Sequence, residues 1–422
     1  MSRIAIIGAG YVGLTTGACF AHLGHDVICA DIVPDKVDRL NHGEIPIVEA
    51  GLENLVADGL RSGRLHFVLG AATAVPEAEF VYLCVPTPQG LDGSADLSYL
   101  EAAATEIRDH LMEAAVVVNK STVPVGSTKV VERVLRRADI AVVSNPEFLR
   151  EGTAVHDFLH PDRIVVGSDD QSAAIRVAAL YLGVPAPYII TDPATAELIK
   201  YAANAFLATK LSFINAIAAL SEHVGADVAD VVIGIGSDKR IGQEFLKPGP
   251  GWGGSCFPKD TKALVRIAED AGYDFSLLRG VIEVNVEQHE RVVAKIRTAA
   301  GGSLAGARVA VWGLTFKGRT DDLRDSPSLA IIKRLKEEGA DVVGFDPTVH
   351  EPLDGIGFSA DAYGACEGAA VLAVLTDWEE FRWLDMTKVA EVMATASVVD
   401  ARNLLDRNEA RRLGFEYVGI GR

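Results

Sequence analysis

The sequence predicts an α/β protein in which two doubly wound parallel-sheet domains are joined by a central region of long helices. Residues 1–31 alternate strand, turn, helix and strand, residues 308–347 repeat that order, and residues 191–224 form a long helical pattern with few breakers. Strands that alternate with helices are typical of a parallel sheet. We therefore expect domains at 1–190, 191–300 and 301–422.

The first domain opens with a β-branched run at 3–8, which predicts a strand. The letters GAGYVG then begin a tight turn, an alanine-rich stretch to about residue 23 predicts a helix, and 25–31 predicts a second strand. Apolar runs predict further strands at 80–86, 115–119 and 140–144. The second half starts with RVAVWGLTFKG and passes through a helix at 326–338 into GADVVGFDP. It resembles a second copy of the opening pattern that has lost the glycines.

Three glycines, Gly8, Gly10 and Gly13, lie between the first strand and the first helix, and Asp31 ends the second strand. Glycine permits a tight turn and lets the backbone approach a pyrophosphate at a helix N-terminus. A carboxylate after the second strand accepts hydrogen bonds from a ribose diol and repels a 2′-phosphate. The pattern predicts a Rossmann-like dinucleotide site that prefers NAD to NADP.

Composition excludes several classes of protein. The 422 residues carry 40 Lys+Arg and 58 Asp+Glu, a formal charge of -18, which argues against non-specific binding to nucleic acid or to an anionic membrane. The most apolar stretch, 194–220, is interrupted by Glu197, Lys200 and Lys210, so we expect no membrane span. Five cysteines without C-x-x-C spacing predict reduced thiols, a cytoplasmic protein and no zinc site. A metal at His156 and His160 is not expected, because no further ligand is apparent.

The segment GPGWGGSCFPKD at 249–260 places Cys256 after glycines and before a predicted helix. Buried cysteines are common and usually inert, but these glycines give close access to the sulfur. A thiol at a helix N-terminus beside Lys259 ionises readily and is a competent nucleophile. Asp260 lies four residues further on. Because Pro and Gly also suit a plain loop, a structural role for this segment stays open.

Lys200 and Asn204 are four residues apart in the long helical pattern, so both point the same way. An ammonium beside an amide stabilises a developing alkoxide, and a lysine can also act as a base through water. Taken alone, the pair also fits an ordinary, partly exposed lysine.

Polar loops follow three predicted strands, at 85–98, 120–128 and 145–152. Ligands bind at the carboxyl ends of strands in open α/β sheets, so these loops predict one rim with Thr122, Glu147 and Glu151 as candidates. Cations on loops of an acidic protein suit phosphates, although each alone also fits a surface salt bridge. These cations are Arg240, Lys247, Lys317, Arg324 and Arg402.

Taken in order, GAGYVG, VPTP, KSTVPVG, NPEFLREG, the Lys200/Asn204 pair, FLKPGPGWGGSCFPKD and TFKGRTDDLRDSP resemble the UDP-glucose 6-dehydrogenase family. The resemblance covers nearly the whole chain. It implies an N-terminal NAD-binding domain, a central helical dimerisation region and a C-terminal nucleotide-sugar domain. Trp252 stands where family members often have phenylalanine, and Lys36 where some have arginine.

The resemblance also implies site residues. The catalytic residues are the nucleophile Cys256, the alkoxide-stabilising Lys200 and Asn204, and Asp260, Glu147 and Thr122. The cofactor contacts are Gly8, Gly10, Tyr11, Val12, Gly13, Asp31, Lys36, Pro86, Thr87, Thr122, Glu151, Lys259 and Arg324. The substrate contacts are Glu147, Phe148, Leu149, Arg150, Glu151, Lys200, Asn204, Arg240, Lys247, Gly251, Trp252, Gly253, Phe316, Lys317 and Arg402, the last reaching into a partner subunit of a homodimer.

The reaction implied is a four-electron oxidation of UDP-glucose to UDP-glucuronate, with two NAD+ reduced and a thiohemiacetal and thioester on Cys256. The nearest alternative is the same chemistry on GDP-mannose or UDP-N-acetylmannosamine. A two-electron 3-hydroxyacid dehydrogenase would need neither Cys256 nor the second nucleotide-binding-like domain. A redox-sensing NAD-binding regulator would need none of Lys200, Asn204, Cys256 and Asp260.

Overall fold

The computed structural model describes residues 1–90 and 93–422, so two residues of the predicted loop at 85–98 lie outside the described part. The chain divides into two compact units. The first unit comprises Met1–Ala203 and Lys262–Gly272, and the second comprises Asn204–Thr261 and Tyr273–Arg422.

A sheet forms the centre of the first unit, and within the described residues it has eight strands in the order β3-β2-β1-β4-β5-β6-β7-β8. The first six are parallel, whereas β7 is antiparallel to β6 and parallel to β8. The strands are β1 (Arg3–Ile7), β2 (Asp26–Asp31), β3 (Leu65–Leu69), β4 (Phe80–Leu83), β5 (Val116–Asn119), β6 (Ala141–Ser144), β7 (Ile164–Gly167) and β8 (Tyr188–Thr191).

Helices cover both faces of this sheet, which is why its central strands are continuous apolar runs rather than alternating ones. The helices are α1 (Tyr11–His22), α2 (Pro34–Asn41), α3 (Leu52–Arg61), α4 (Ala71–Ala74), α5 (Ser98–Ile107), α6 (Ser127–Leu135), α7 (Ala154–Leu159) and α8 (Gln171–Ala179). The loops after β4, β5 and β6 leave the sheet at one edge, because these neighbouring strands are parallel.

Two long helices cross the boundary between the units. Helix α9 (Pro193–Val224) begins in the first unit and ends in the second, and α11 (Phe257–Asp270) begins in the second and ends in the first. Among the described residues, α9 alone is long and apolar enough to cross a bilayer by length and composition, with 39% of its apolar window buried. Core helices of other proteins pass the same test.

The second unit has its own parallel sheet, which within the described residues runs β11-β10-β9-β12-β13-β14. Its strands are β9 (Arg308–Trp312), β10 (Asp341–Phe345), β11 (Gly357–Phe358), β12 (Val371–Val374), β13 (Ser397–Asp400) and β14 (Glu416–Val418). Its helices are α10 (Val228–Gly236), α12 (Ser276–Ala299), α13 (Pro327–Glu337), α14 (Ala362–Cys366), α15 (Met386–Val392) and α16 (Arg407–Arg412), with a 3-10 turn at Glu379–Trp383.

The predicted duplication is confirmed in the local geometry of the two units. Gly8 follows β1 with φ +98° and donates its N–H to the oxygen of Ala30 at 2.8 Å. Gly313 follows β9 with φ +92° and makes the same bond to Phe345 at 2.8 Å. Both positions have a left-handed backbone that favours glycine. The first turn of each Rossmann-like unit is therefore built in the same way.

The aspartates that follow the second strands differ. Asp346 is buried, and its two carboxylate oxygens accept hydrogen bonds from backbone and side-chain groups of Thr315 and Thr348, from the N–H of Leu314 and from the indole of Trp378. Internal donors thus surround both oxygens of this carboxylate. Asp31, in the first unit, is only partly buried.

The predicted fold class is confirmed, although several elements were missed. The strands β3, β7 and β8 of the first unit and β11 and β14 of the second were not predicted. They lie at a sheet edge or, for β7, next to one, where fewer neighbouring strands fix the pattern. The predicted helix after Cys256 is α11, and a second helix, α12, follows it after Gly272, which has φ +74°.

Candidate active site

The three glycines of the turn before α1 have two different roles: two allow close packing of the backbone, and one leaves open space. A Cβ on Gly8 would lie 2.6 Å from the carbonyl oxygen of Cys84, and a Cβ on Gly13 would overlap the carbonyl oxygen of Gly8. Gly10 differs, since beyond its chain neighbours and its own helix backbone no atom of the described residues lies within 4 Å of the place its Cβ would take. Gly8 and Gly13 are therefore needed by the turn itself, while Gly10 leaves open space at a helix N-terminus, the kind of position where phosphates commonly bind.

Asp31 lies at the carboxyl end of β2, beside this turn. Its Oδ2 accepts hydrogen bonds from the N–H of Ala9 at 3.0 Å and from Nζ of Lys36 at 2.8 Å. Burial alone would raise the pKa of Asp31, but the hydrogen bond and charge of Lys36, with the backbone N–H groups of Val33 and Ala9, hold that pKa below its usual value. The carboxylate therefore stays ionised and able to accept hydrogen bonds from a diol.

A hydrogen-bond network around Glu49, which was not predicted, joins the start of α1 to the loop after β6. This carboxylate accepts hydrogen bonds from the hydroxyl of Tyr11, at the start of α1, and from the N–H of Gly152 at 2.7 Å. The N–H of Gly152 also reaches the Tyr11 hydroxyl at 2.7 Å. Glu49 thereby ties the predicted cofactor loop to the predicted substrate segment at 148–151.

The loops after β4 and β5 are joined directly. The hydroxyl of Thr87 donates to the carbonyl oxygen of Thr122 at 2.8 Å, and the hydroxyl of Ser121 donates to the carbonyl oxygen of Val85 at 2.7 Å. Pro86, which lies between Val85 and Thr87 in the sequence, is exposed. Two of the predicted cofactor residues are thus neighbours at one edge of the sheet, as their position after parallel strands required.

Glu147 and Lys200 form a buried ion pair in the first unit. The distance from Nζ of Lys200 to Oε1 of Glu147 is 2.7 Å, and Oε2 accepts a hydrogen bond from the N–H of Leu149 at 2.7 Å. Burial would raise the pKa of Glu147, but the charge and hydrogen bond of Lys200, the Leu149 N–H and the charge of Lys120 bring it below its usual value. The sequence analysis did not predict that Glu147 and Lys200 contact each other, and the structure shows that they form an ion pair.

The start of α9 is fixed by a second buried glutamate, one turn before Lys200. Glu197 accepts hydrogen bonds from the N–H groups of Gly126 at 2.6 Å and Thr128 at 2.9 Å, and from the Thr128 hydroxyl at 2.8 Å. These groups lie at the N-terminus of α6, where a carboxylate is favoured. The contact sets the position of α9, and hence of Lys200, against the loop after β5.

Two cations lie over the ring of Phe148. The guanidinium of Arg163 lies over the Phe148 ring at 3.7 Å, and Nζ of Lys200 lies 5.5 Å from the ring centroid. Arg150, by contrast, is paired with Asp157 at 2.6 Å. Leu149 and Glu151 are partly buried.

In the second unit, Cys256 immediately precedes α11, and its carbonyl oxygen accepts the N–H of Asp260 at 2.8 Å. Its sulfur lies 3.6 Å from the hydroxyl oxygen of Ser255. Cys256 is partly exposed, whereas the other four cysteines are buried. Burial raises the pKa of Cys19, Cys84 and Cys366 to about 12, which keeps these thiols protonated. The structure thus singles out Cys256 as the accessible thiol.

Asp260 lies one turn into α11 and is fully buried. Its Oδ2 accepts a hydrogen bond from Nδ2 of Asn204 at 2.6 Å, and its Oδ1 accepts one from Nζ of Lys259 at 2.7 Å. The catalytic candidates therefore fall into two pairs, Glu147 with Lys200 and Asp260 with Asn204. Since Lys200 and Asn204 are four residues apart in α9, one helix supplies a member of each pair.

Side-chain amides hold the glycine-rich loop that leads to Cys256. Asn285, on α12, accepts from the N–H of Trp252 at 2.8 Å and donates to its carbonyl oxygen at 2.9 Å. Gln288 donates to the carbonyl oxygen of Gly249 at 2.8 Å, and Asn215 accepts from the Gly249 N–H at 2.8 Å. The backbone of this loop is therefore fixed from α9 and α12. The indole N–H of Trp252 donates to Ser212 at 2.8 Å.

The glycines of the loop are needed for close packing. Gly251 has φ +126°, and a Cβ there would lie 2.7 Å from Nε2 of His289. A Cβ on Gly253 would overlap the carbonyl oxygen of Asp325, and one on Gly254 would lie 2.7 Å from the Phe316 ring. These contacts place the loop after β9 directly against the cysteine loop.

The cations predicted to bind phosphates in the second unit differ in their exposure and in their contacts within the chain. Arg402 donates to the carbonyl oxygens of Leu375 at 2.8 Å and Phe316 at 3.0 Å, so it is fixed by its own chain. Arg240 and Arg324 are largely exposed and each pairs with an aspartate two residues before it. Lys317 lies over the Phe316 ring at 5.4 Å, and Lys247 is exposed.

A glycine turn at the start of a helix, with an ionised aspartate after the second strand, is typical of proteins that bind a dinucleotide such as NAD. Family models match along almost the whole chain. They are those of the UDP-glucose/GDP-mannose dehydrogenase family, with the NAD binding domain at residues 2–184, the central domain at 194–287 and the UDP binding domain at 310–407. The chain is an NAD-dependent oxidoreductase, and it belongs to the UDP-glucose/GDP-mannose dehydrogenase family.

Individual relatives are similar to this chain over its whole length. A UDP-glucose 6-dehydrogenase of Rhizobium meliloti (strain 1021) is 48% identical, covering 100% of this chain and 99% of its own length. The solved UDP-glucose dehydrogenase of Pyrobaculum islandicum has a TM-score of 0.91 at 38% identity, covering 100% of this chain and 98% of its own. The UDP-D-ManNAc dehydrogenase of Pyrococcus horikoshii has a TM-score of 0.90 at 28% identity, covering 100% and 99%.

Several residues that shape the site were missed by the sequence analysis. The role of Glu197 could have been predicted from the sequence, because a glutamate within an apolar helix indicates a specific buried hydrogen-bond partner. Lys120, directly after a buried strand, had a similar one. Asn215, Asn285 and Gln288 had none, because amides on a helical pattern look the same whether they face water or a backbone loop.

Proposed function

We propose that this protein oxidises the 6-hydroxyl group of UDP-glucose to a carboxylate, giving UDP-glucuronate and reducing two NAD+ per sugar. The observation that carries the proposal is the partly exposed Cys256 directly before α11, the helix that carries the buried Asp260. A two-electron alcohol dehydrogenase has no use for such a thiol. The names of the relatives support UDP-glucose as substrate.

Bound NAD+ supplies the hydride acceptor for each of the two oxidations. In the first oxidation, the hydroxyl group loses its proton to the base and C6 loses a hydride to the acceptor, which leaves an aldehyde. The Cys256 thiolate then adds to the aldehyde carbon, and the resulting oxyanion is held while a second hydride leaves, which gives a thioester. Water attacks the thioester, breaks the C–S bond and releases the carboxylate and the Cys256 thiol.

The two buried pairs supply the electrostatic part of this chemistry. We assign Lys200 and Asn204 to the oxyanions, because an ammonium and an amide one turn apart on α9 offer converging donors. Asp260 orients Asn204 through the 2.6 Å hydrogen bond and forms a base network with Lys200 and water. Glu147, held ionised by Lys200, assists the water that hydrolyses the thioester.

Within the family, the sugar nucleotide distinguishes this proposal from its nearest alternative. The two solved relatives have nearly equal TM-scores, 0.91 and 0.90, so the fold does not discriminate between UDP-glucose and UDP-N-acetylmannosamine. Sequence identity does favour UDP-glucose, at 38% against 28%. We assign Phe316, Lys317, Arg402 and the loop at 249–253 to the nucleotide sugar, and we place the protein in the cytoplasm, where a reactive thiol stays reduced.

The test is a count of NADH. The purified protein, incubated with excess NAD+ and limiting UDP-glucose, is expected to form two NADH per sugar and UDP-glucuronate as the product. UDP-N-acetylmannosamine and GDP-mannose, at the same concentration, should give a much lower kcat/KM. One NADH per sugar would refute the thioester route, and faster turnover of another sugar nucleotide would refute the substrate.

Asp31 is assigned to the adenosine ribose, and the assignment predicts a change of cofactor preference. Asp31→Ser removes the acceptor of the ribose diol and frees Lys36 from its 2.8 Å ion pair, so that the ammonium can attract a 2′-phosphate. We expect the ratio of kcat/KM for NADP+ to that for NAD+ to rise by roughly 10- to 100-fold. Asp38→Ser, on the exposed side of α2, is the control. An unchanged ratio in Asp31→Ser would remove the assigned role.

A homodimer is proposed from the exposed face of α9. Phe206, Phe213 and Leu220 recur every seven residues on this helix and are 65%, 52% and 55% exposed. A row of large apolar side chains of this kind favours packing against a second copy. Light scattering should give twice the 44.8 kDa of one chain, and Phe213→Glu should lower that mass. Trp383→Glu, at a side chain that is 80% exposed outside this row, should leave the mass unchanged.

A further inference from the structure

Lys120 is a buried lysine to which the proposed reaction assigns no part. It directly follows β5 in the first unit and is 5% exposed. Its Nζ donates to Oδ1 of Asn145 and to the hydroxyl of Tyr181, both at 3.2 Å. Both partners are neutral, and among the described residues no carboxylate oxygen lies within ion-pair distance of this ammonium. A buried cation without an anionic partner is costly to the fold.

Asn145 connects this lysine to Glu147. It follows β6, two residues before Glu147, and its Oδ1 accepts hydrogen bonds from both Lys120 and Tyr181. Its Nδ2 donates to the carbonyl oxygen of Val165 at 2.8 Å, and its own N–H donates to that of Asn119 at 2.9 Å. The segment that projects Glu147 is therefore fixed on three sides, one of them by the ammonium.

The charges of Lys120 and Glu147 each affect the pKa of the other group. Burial lowers the pKa of Lys120 to about 8, against the opposing effects of Cys84 and Glu147 and with a further lowering by Lys200. In turn, the charge of Lys120 helps to lower the pKa of Glu147. The Cys84 thiol is protonated, since burial raises its pKa to about 12. The groups that face Lys120 thus include one carboxylate and one other cation.

We propose that Lys120 is a positioning residue for Glu147, which fixes the Asn145–Glu147 segment and helps to keep Glu147 as a carboxylate during turnover. The proposal rests on the role given to Glu147 in the proposed function. A lysine retained for packing alone would contribute stability. Because this one has no carboxylate within ion-pair distance among the described residues, its removal should cost activity and leave the fold equally stable or more so.

The experiment compares Lys120→Met with Lys129→Met, an exposed lysine on α6. In Lys120→Met we expect kcat at neutral pH to fall about tenfold or more and the acid limb of the kcat–pH profile to move up by about one unit, since the pKa of Glu147 rises. The melting temperature should stay the same or rise by about 2–4 °C. Lys129→Met should change neither kcat nor the acid limb.

Asn145→Ala keeps the ammonium and removes the link to Glu147. It should lower kcat with a smaller move of the acid limb, and so separates position from charge. An acid limb that stays in place in Lys120→Met overturns the assignment, whatever the melting temperature does. A lower melting temperature with an unmoved limb would identify a purely structural lysine. The NADH count of the unmodified protein tests the thioester route separately, because it uses no variant.

Discussion

Cys256→Ser is expected to abolish the second oxidation, so that NADH per UDP-glucose falls from two towards one or less and kcat falls by roughly 10³-fold or more. The serine hydroxyl is a far weaker nucleophile than a thiolate at neutral pH, and any ester it forms has a poorer leaving group than a thioester. NADH yield in a single turnover, with the mass of the intact protein to detect an acyl adduct, measures both effects.

The buried cysteines supply the control for this result. Cys366→Ala leaves the accessible thiol in place and should retain two NADH per sugar, even if the fold loses stability. Brief treatment with iodoacetamide should modify Cys256 first, because Cys19, Cys84 and Cys366 are buried and their pKa values are raised to about 12. Full formation of UDP-glucuronate by Cys256→Ser would refute the nucleophile.

Lys200→Met is the second large effect. It removes the cation assigned to the oxyanions and leaves Glu147 buried without its partner, so kcat should fall by about 10²–10³-fold. Breaking one half of a buried ion pair should also lower the free energy of unfolding by about 3–5 kcal/mol at neutral pH. Steady-state kinetics and urea denaturation measure the two losses.

The pH dependence of stability separates this ion pair from a packing effect. In the unmodified protein the pKa of Glu147 is lowered, so its contribution is present above its usual value of 4.5 and is lost as the pH falls through the native pKa. Without Lys200 that pKa should rise, and the carboxyl should instead destabilise the fold as the pH increases above 4.5.

The double variant Lys200→Met/Glu147→Gln completes the test. It removes both charges and should regain much of the lost stability while remaining inactive. Lys210→Met, on the same helix and outside the pair, should keep its activity. If Lys200→Met retained kcat, or if its stability followed pH as the unmodified protein does, the assigned role of Lys200 would be wrong.

The sequence predicted the fold where local chemistry and periodicity agreed. The glycine turn, the apolar strands β4 to β6 and the long helix α9 each carry a strong local signal, and the second Rossmann-like unit was recognisable because it repeats the first. Strands β8, β11 and β14 lack that signal, since they lie at sheet edges and are defined by a single neighbour. The reversal at β7 depends on the pairing of distant segments, and no local pattern encodes it.

The candidate site was predicted as a set of residues but not as an arrangement. Motif order named Glu147, Lys200, Asn204 and Asp260, yet which of them pair by hydrogen bonds is decided by tertiary packing. The supporting groups were harder still. Asn285 lies on a helix that starts 20 residues after Cys256, and its clamp on Trp252 comes from tertiary packing alone.

Asp31 and Asp346 follow the second strands of the two Rossmann-like units, but only Asp31 can accept a hydrogen bond from a ligand. A carboxylate surrounded by the indole of Trp378 and the hydroxyls of two threonines has no lone pair left to offer an incoming ribose. The second Rossmann-like unit therefore has no open acceptor at the position that corresponds to Asp31, and its ligand has to be held by other groups.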